Sequence, residues 1–134
     1  MKEIASADAT LGSNNYSTVM ATRGFTLKSD EPVSAGGANT GPTPYDYILA
    51  GLASCTLITL RMYSEHKGWE LGELNATLSL SKDKEKNTYI HRTLTVSEPL
   101  SDEQWEKLLA IAAKTPVTLT LMQGSTITTE HTQR

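Results

Sequence analysis

The sequence predicts an α+β fold, and three observations support this class. Strand-like segments come first, a long helix with a strong start signal follows, and a hairpin with alternating apolar residues comes after it. A second capped helix and a short apolar segment complete the predicted order of strands, helix, two strands, helix and strands. Helices and strands are therefore grouped rather than alternating one by one, which is typical of α+β and not of α/β domains.

The N-terminal part favours strands followed by an irregular loop. Tyr16–Thr22 and Phe25–Lys28 are rich in β-branched and aromatic residues, and Gly24 lies between them as a turn. Residues 30–44 contain three prolines and three glycines, which break any periodic structure and predict a loop.

The first helix has clear boundary signals. Thr43 can cap it, Pro44 suits its first position, and Asp46 follows three residues after the cap. The helix should continue to about Lys67, with Gly68 as its C-terminal stop. Its central residues are apolar on every side, which predicts a helix buried on every side and hence a second copy of the chain packed against it.

The second half predicts a hairpin and a second helix. Apolar residues alternate with polar ones on both sides of the charged turn at 83–87, although Arg92 interrupts the apolar face of the returning strand. Ser101 and Gln104 form a predicted capping box for a helix ending near Lys114. Leu119, Leu121 and residues 125–129 predict one or two closing strands.

Length and charge limit the classes of protein. We predict a single domain over residues 1–134, because single domains most often contain roughly 100–150 residues. Lys and Arg number 12 against 15 Asp and Glu, so the formal charge is −3 and no basic stripe is available for nucleic acid. The longest apolar run, Tyr47–Leu60, is too short and too interrupted for a membrane span. No secretory signal is apparent at the N-terminus, so we expect a cytoplasmic protein without a membrane partner.

Few residues carry strong catalytic signals. The chain has one cysteine, Cys55, which excludes an intrachain disulfide and a cysteine-rich zinc site. The three histidines are scattered, and no phosphate-binding loop or hydrolase motif is present. No metal or cofactor is predicted. Cys55 remains either a reactive thiol or a small buried residue in a core helix.

Three stretches of the sequence resemble the OsmC/Ohr family, the osmotically induced and organic-hydroperoxide-resistance proteins. They are Asp30-Glu31-Pro32 followed by Gly36-Gly37, then Gly41-Pro42-Thr43-Pro44-Tyr45-Asp46 leading to Ala53-Ser54-Cys55, and finally Leu100–Gln104 leading to Thr115-Pro116. The resemblance implies antiparallel sheets packed around long central helices in an intertwined homodimer. It also implies a thiol site in which Cys55 attacks a hydroperoxide.

The chain departs from the family pattern at several site positions. Thr115 stands where the resemblance implies a second, resolving cysteine. Tyr45 stands where it implies a glutamate, and an acid follows one residue later as Asp46. No arginine aligns with the family's catalytic one. Glu31 lies in the loop that approaches the cysteine in the family, so it is either a site residue or an acceptor of backbone hydrogen bonds in its own turn.

Two functions follow from this pattern. The first is a thiol-dependent reduction of organic hydroperoxides through Cys55, with Glu31, Tyr45, Asp46 and Thr115 as supporting or substrate-binding residues. Without a resolving cysteine, an external thiol reductant must regenerate Cys55, or a disulfide must form across the dimer. The alternative is a non-catalytic protein of the same fold that binds a small apolar molecule.

Overall fold

The structure is a computed structural model and describes residues 1–133. Five strands and three α-helices follow one another along the chain: β1 Asp8–Leu11, β2 Thr18–Thr22, β3 Phe25–Ser29, α1 Pro44–Lys67, β4 Leu74–Lys82, β5 Thr88–Val96, α2 Asp102–Ala112 and α3 Pro116–Gln123. The chain divides into two compact units, Met1–Ile48 and Leu49–Arg134, with the division inside α1. The mixed composition and the antiparallel strands confirm the predicted α+β class.

The first unit contains a three-stranded antiparallel sheet in the order β1-β2-β3. The tight turn between β2 and β3 contains Arg23 and Gly24, both with positive φ. This confirms the predicted turn at Gly24. The sequence analysis missed β1. Its four residues are all exposed and include one β-branched residue and no aromatic one, so composition does not mark them as a strand.

The loop after β3 is built around the carboxylate of Asp30, which is only 2% exposed. It accepts hydrogen bonds from the backbone N–H groups of Glu31 at 2.7 Å, Ala38 at 3.3 Å and Thr40 at 3.1 Å. The Thr40 hydroxyl donates a further bond of 2.7 Å. These bonds, the Thr40 hydroxyl above all, lower the pKa of Asp30 from 3.8 to about 2. The loop is therefore an ordered structure with a buried anion at its centre.

Glycine is required at one point of this loop. A Cβ built on Gly37 would lie 2.0 Å from the carbonyl oxygen of Glu31. That distance is far inside van der Waals contact, so the backbone of this turn can close only without a side chain at this position.

Helix α1 begins and ends where the sequence predicts. The Thr43 hydroxyl accepts a hydrogen bond from the Asp46 N–H at 3.2 Å, and the Asp46 carboxylate accepts one from the Thr43 N–H at 2.9 Å. This reciprocal pair satisfies two N–H groups at the start of the helix. Gly68 follows the last helical residue with a φ of 71°, a conformation that favours glycine.

Burial along α1 differs from the expectation for a helix apolar on all sides. Its buried residues form one stripe with a spacing of four: Leu52, Thr56, Leu60 and Ser64. Ile58 and Met62, on another face, are 52% and 65% exposed in the single chain. Within one subunit, α1 therefore packs through a single stripe, and half of that stripe is hydroxyl residues.

By length and composition alone α1 is able to cross a membrane, with a mean hydropathy of 1.2 over its most apolar 18 residues. Such a finding is weak evidence, because the core helix of a soluble protein passes the same test.

The second unit has a core made by the hairpin and the helices. β4 and β5 pair antiparallel from Leu74↔Val96 to Lys82↔Thr88, as predicted. The carboxylate of Asp83 orders the turn by accepting bonds from the N–H groups of Glu85 and Asn87, both at 2.9 Å. The buried core consists of Leu60, Leu71, Leu108 and Ala112, with the apolar face of the hairpin packed against it.

The C-terminal part corrects one prediction. Ser101 and Gln104 form the predicted capping box of α2. The segment after Thr115 is the helix α3, however, and residues 124–133 contain no strand. Pro116 occupies the first turn of α3 and Thr115 caps it. The proline that ends one helix thus begins the next, because its fixed φ suits a first helical turn.

Replacing Thr40 with valine tests the loop around Asp30. Because the folded-state pKa of Asp30 is below its unfolded value, this group stabilises the fold above about pH 4 and loses that effect as the pH falls through about 2. Thr40→Val removes the largest cause of the low pKa. We expect NMR titration to show a raised pKa for Asp30 and acid unfolding to begin at higher pH. Thr40→Ser keeps the hydroxyl and should titrate like the wild type; equal behaviour of the two variants would contradict this account.

Replacing Gly37 with alanine tests the close approach in the same loop. The new methyl group would collide with the Glu31 carbonyl, so we expect thermal or denaturant unfolding to show a loss of about 1–3 kcal/mol. Gly12→Ala is the matched control, because a Cβ at Gly12 meets no atom within 4 Å. Equal stability of the two variants would show that the turn relaxes around the added methyl group.

Candidate functional site

Cys55 lies near the middle of α1, in the second unit, and is half-buried in the single chain. Its Sγ lies 4.0 Å from the Thr59 hydroxyl, one turn later on the same helix. Among residues 1–133 no cationic side chain hydrogen-bonds to this sulfur. Cys55 is therefore partly exposed in the single chain, and the hydrogen-bonding neighbour of its sulfur within residues 1–133 is a neutral hydroxyl.

Thr115 is a buried residue with a defined structural role. It is 1% exposed, and its hydroxyl lies 2.7 Å from the hydroxyl of Thr118. The same oxygen accepts a hydrogen bond from the Thr118 N–H, as the N-cap of α3. The position where the resemblance implies a second sulfur thus carries a cap that stabilises the start of a helix.

Arg92 is the residue that the sequence analysis did not place in a site. From β5 its guanidinium donates hydrogen bonds to the Thr56 hydroxyl at 2.8 Å, the Thr118 hydroxyl at 2.9 Å and the Ala112 carbonyl at 2.8 Å. These acceptors belong to α1, α3 and the last residue of α2. The signal was present in the sequence, because Arg92 interrupts an otherwise apolar face of the hairpin.

Arg92 links Thr118, which contacts Thr115, to Thr56, the residue that follows Cys55 in the chain. No carboxylate among the described residues forms an ion pair with Arg92. Its positive charge is therefore held by neutral oxygens alone.

A cleft of about 400 Å³ opens beside this arginine. Its lining is mixed, with four apolar residues, one arginine and two threonines: Leu52, Thr88, Ile90, Arg92, Thr118, Leu121 and Met122. Cys55 does not line it. The volume is within the range that small-molecule sites occupy.

The other three predicted site residues belong to the first unit. Asp46 holds the start of α1 through Thr43, as described above, and Tyr45 is 48% exposed beside it. Glu31 is half-buried and lines a separate cavity of about 440 Å³, together with Asp30 and Tyr16. The backbone hydrogen bonds that Glu31 was expected to accept in this turn are accepted by the carboxylate of Asp30 instead.

No group of three His, Cys, Asp or Glu side chains that could hold a metal ion occurs in the described part of the chain. The candidate groups of the second unit are therefore the Cys55 thiol and, at a separate cleft, the Arg92 guanidinium with its hydroxyl neighbours.

Comparison with known proteins places this architecture in a family. A family model described as OsmC-like protein matches residues 36–130. No curated protein sequence matches the chain.

Solved structures share the fold at low sequence identity. An OsmC-like protein from Mycoplasma pneumoniae has a TM-score of 0.78 and 19% identity, with 91% of this chain and 89% of that chain covered. The organic hydroperoxide resistance protein OsmC from Legionella pneumophila has a TM-score of 0.68 and 22% identity, with 89% of each chain covered. The organic hydroperoxide resistance protein OhrB of Bacillus subtilis has a TM-score of 0.59 and 24% identity, with 88% and 90% covered.

The family model covers the capped start of α1, Cys55, the hairpin that carries Arg92 and the capped start of α3. The sequence resemblance and the fold therefore agree, and the chain belongs to the OsmC-like protein family.

Proposed function

We propose that this protein is a cytoplasmic stress-response protein that reduces organic hydroperoxides through Cys55 and an external thiol. The observation that carries the proposal is the position of Cys55, which is the one sulfhydryl of the chain and lies partly accessible in the middle of α1. Two structural relatives are organic hydroperoxide resistance proteins by name, which supports the same class of substrate.

The chemistry needs one sulfur in each subunit. The Cys55 thiolate attacks a peroxide oxygen, the O–O bond breaks, and the leaving alkoxide takes a proton to become the alcohol. Cys55 is left as a sulfenic acid. One molecule of external thiol then forms a mixed disulfide with loss of water, and a second molecule releases Cys55 as the thiol with formation of the reductant's disulfide.

With Thr115 at the resolving position, the chain has no second thiol for a disulfide within one subunit. Regeneration of Cys55 therefore needs an external thiol, or a disulfide forms across the proposed dimer. In the absence of reductant, the oxidised Cys55 should therefore accumulate as sulfenic acid or become overoxidised. Glu31, Tyr45 and Asp46 are proposed as supporting or substrate-binding residues of the assembled protein, and the buried Thr115 as a residue that shapes the site.

The proposed assembly is a homodimer in which the α1 helices of two subunits pack together. Ile58 and Met62 lie four residues apart on α1, and both are more than half exposed in the single chain. Small residues on the same helix, Gly51 and Ser54, are exposed as well. Apolar faces of this kind are normally covered in a soluble protein, and a second copy supplies a matching face.

A second candidate function is binding of a small apolar molecule without catalysis. The cleft beside Arg92 favours it, because four apolar side chains line that cleft and Cys55 does not.

Replacing Met62 with glutamate tests the dimer. A carboxylate in the proposed interface would be buried without a partner, so we expect light scattering at micromolar concentration to show dimers for the wild type and monomers or aggregates for Met62→Glu. Glu65→Gln, one turn away at an exposed position, is the control and should remain dimeric. A wild type that is stable and monomeric would remove the proposal.

Peroxide consumption tests the role of Cys55. With cumene hydroperoxide and no thiol, we expect the wild type to consume about one equivalent per subunit, and to turn over only after dithiothreitol is added. Cys55→Ser should consume none beyond the background. Exchanging Ser54 and Cys55 moves the thiol by one residue, to an exposed position, and should lower the rate at least about tenfold if the native position is tuned for the reaction. Turnover by Cys55→Ser at the wild-type rate would exclude the mechanism.

A further inference from the structure

We propose that the cleft beside Arg92 binds an amphipathic carboxylate, with the anionic head on the guanidinium and the apolar body against Leu52, Ile90, Leu121 and Met122. The inference deepens the second candidate function, on which it rests, and it is independent of Cys55. The ligand class follows from the charge, the free donors and the walls of the cleft.

The charge of Arg92 lacks a counterion within the described residues. Its three hydrogen-bond acceptors are two threonine hydroxyls and one carbonyl, all neutral. The two hydroxyl groups are themselves buried, Thr56 completely and Thr118 nearly so. A partly buried cation surrounded by neutral groups has lost water without gaining an opposite charge, so an anion in the cleft would be stabilised there.

The guanidinium retains donors that can bind this anion. A guanidinium has five N–H donors in a planar arrangement. The two N–H donors on Nη1 bind the Thr56 and Thr118 hydroxyls, and one donor on Nη2 binds the Ala112 carbonyl. One donor on Nη2 and the Nε–H remain, and these can donate charge-assisted hydrogen bonds to a carboxylate. The bonds already made fix the orientation of the group, so little further side-chain entropy is lost on binding.

The remainder of the cleft fits an apolar body. Ile90, Leu121 and Met122 are partly exposed on its walls, and Met122 is 74% exposed. A hydrocarbon chain would remove this apolar surface from water. A free inorganic anion would leave the apolar surface exposed to water. A neutral apolar molecule would leave the guanidinium without a counterion. An amphipathic carboxylate would both pair with the guanidinium and cover the apolar walls of the cleft.

The test compares octanoate with 1-octanol, which have the same chain length and differ in head group. Isothermal titration at pH 8 with the purified full chain should show octanoate binding at least about tenfold more tightly than octanol. Arg92→Gln should lose this preference, so that the two ligands bind alike. Arg23→Gln is the matched control, because Arg23 is an exposed arginine of the first unit, and it should bind octanoate as the wild type does.

A second pair of variants guards against misfolding of Arg92→Gln. Met122 is exposed at the cleft, so Met122→Glu should fold normally and weaken octanoate binding at least about threefold by charge repulsion, while octanol binding stays unchanged. Met122→Lys should bind octanoate at least as well as the wild type. Equal binding by these two variants would overturn the proposal.

The outcomes separate this inference from both proposed functions. Octanol and octanoate binding with equal affinity would leave an apolar site but overturn the carboxylate assignment. Absence of binding by either ligand would overturn the inference together with the second candidate function, and would be the result if a second subunit fills the cleft. Cys55→Ser should bind octanoate like the wild type; a loss of binding in this variant would show that the ligand occupies the thiol site instead.

Discussion

The second unit depends on one charged group in a partly buried place. Arg92 extends from β5 and makes hydrogen bonds to α1, α3 and the end of α2, so a single side chain fixes three helices relative to the hairpin. Hydrogen bonds that involve a charged donor contribute roughly 1.5–3 kcal/mol each, and their loss leaves buried acceptors unsatisfied. The rest of the contact between hairpin and helices is apolar and nonspecific in direction. The directional hydrogen bonds of the arginine therefore fix the orientation of the helices on the hairpin, which apolar contacts alone do not.

Helix α1 likewise combines apolar side chains that pack with hydroxyl side chains that form directional hydrogen bonds. Its buried stripe alternates Leu52 and Leu60 with Thr56 and Ser64. The leucines contribute to burial, whereas Thr56 both bonds back to the Leu52 carbonyl at 2.7 Å and accepts from Arg92. Cys55 and Thr56 are adjacent, so their side chains leave the helix about 100° apart. The thiol and the hydroxyl that binds Arg92 thus point to different sides of one helical turn.

Sequence patterns predicted those features that depend on local interactions. The caps at Thr43 and Ser101, the stop at Gly68 and the turn at 83–87 each involve residues within five positions of one another, and all were found. Short-range hydrogen bonds leave a recognisable residue pattern. The family resemblance added the global arrangement, because the spacing of Pro44 and Cys55 is specific.

The features that were missed depend on residues far apart in the chain or on an ambiguous signal. Arg92 bonds to groups 20 to 36 residues away, and only its interruption of an apolar face pointed to it. The exposed strand β1 has four residues, of which one is β-branched and none is aromatic, so its composition gave no strand signal. Pro116 is equally consistent with the end of a helix and the start of one, and the apolar residues after it were taken for strands. Asp30 and Glu31 are neighbours in one turn, and only the structure shows which carboxylate is buried.

Thr115 has a structural function at the position where the sequence resemblance implies a second sulfur. Its hydroxyl caps α3 and contacts Thr118, which is bonded to Arg92. A cysteine at this position would have a weaker acceptor, and losing an N-cap costs about 1 kcal/mol. The effect would extend to Arg92, because Thr118 would lose a partner that helps to orient its hydroxyl. Threonine at this position thus couples the start of α3 to the hydrogen bonds that hold Arg92.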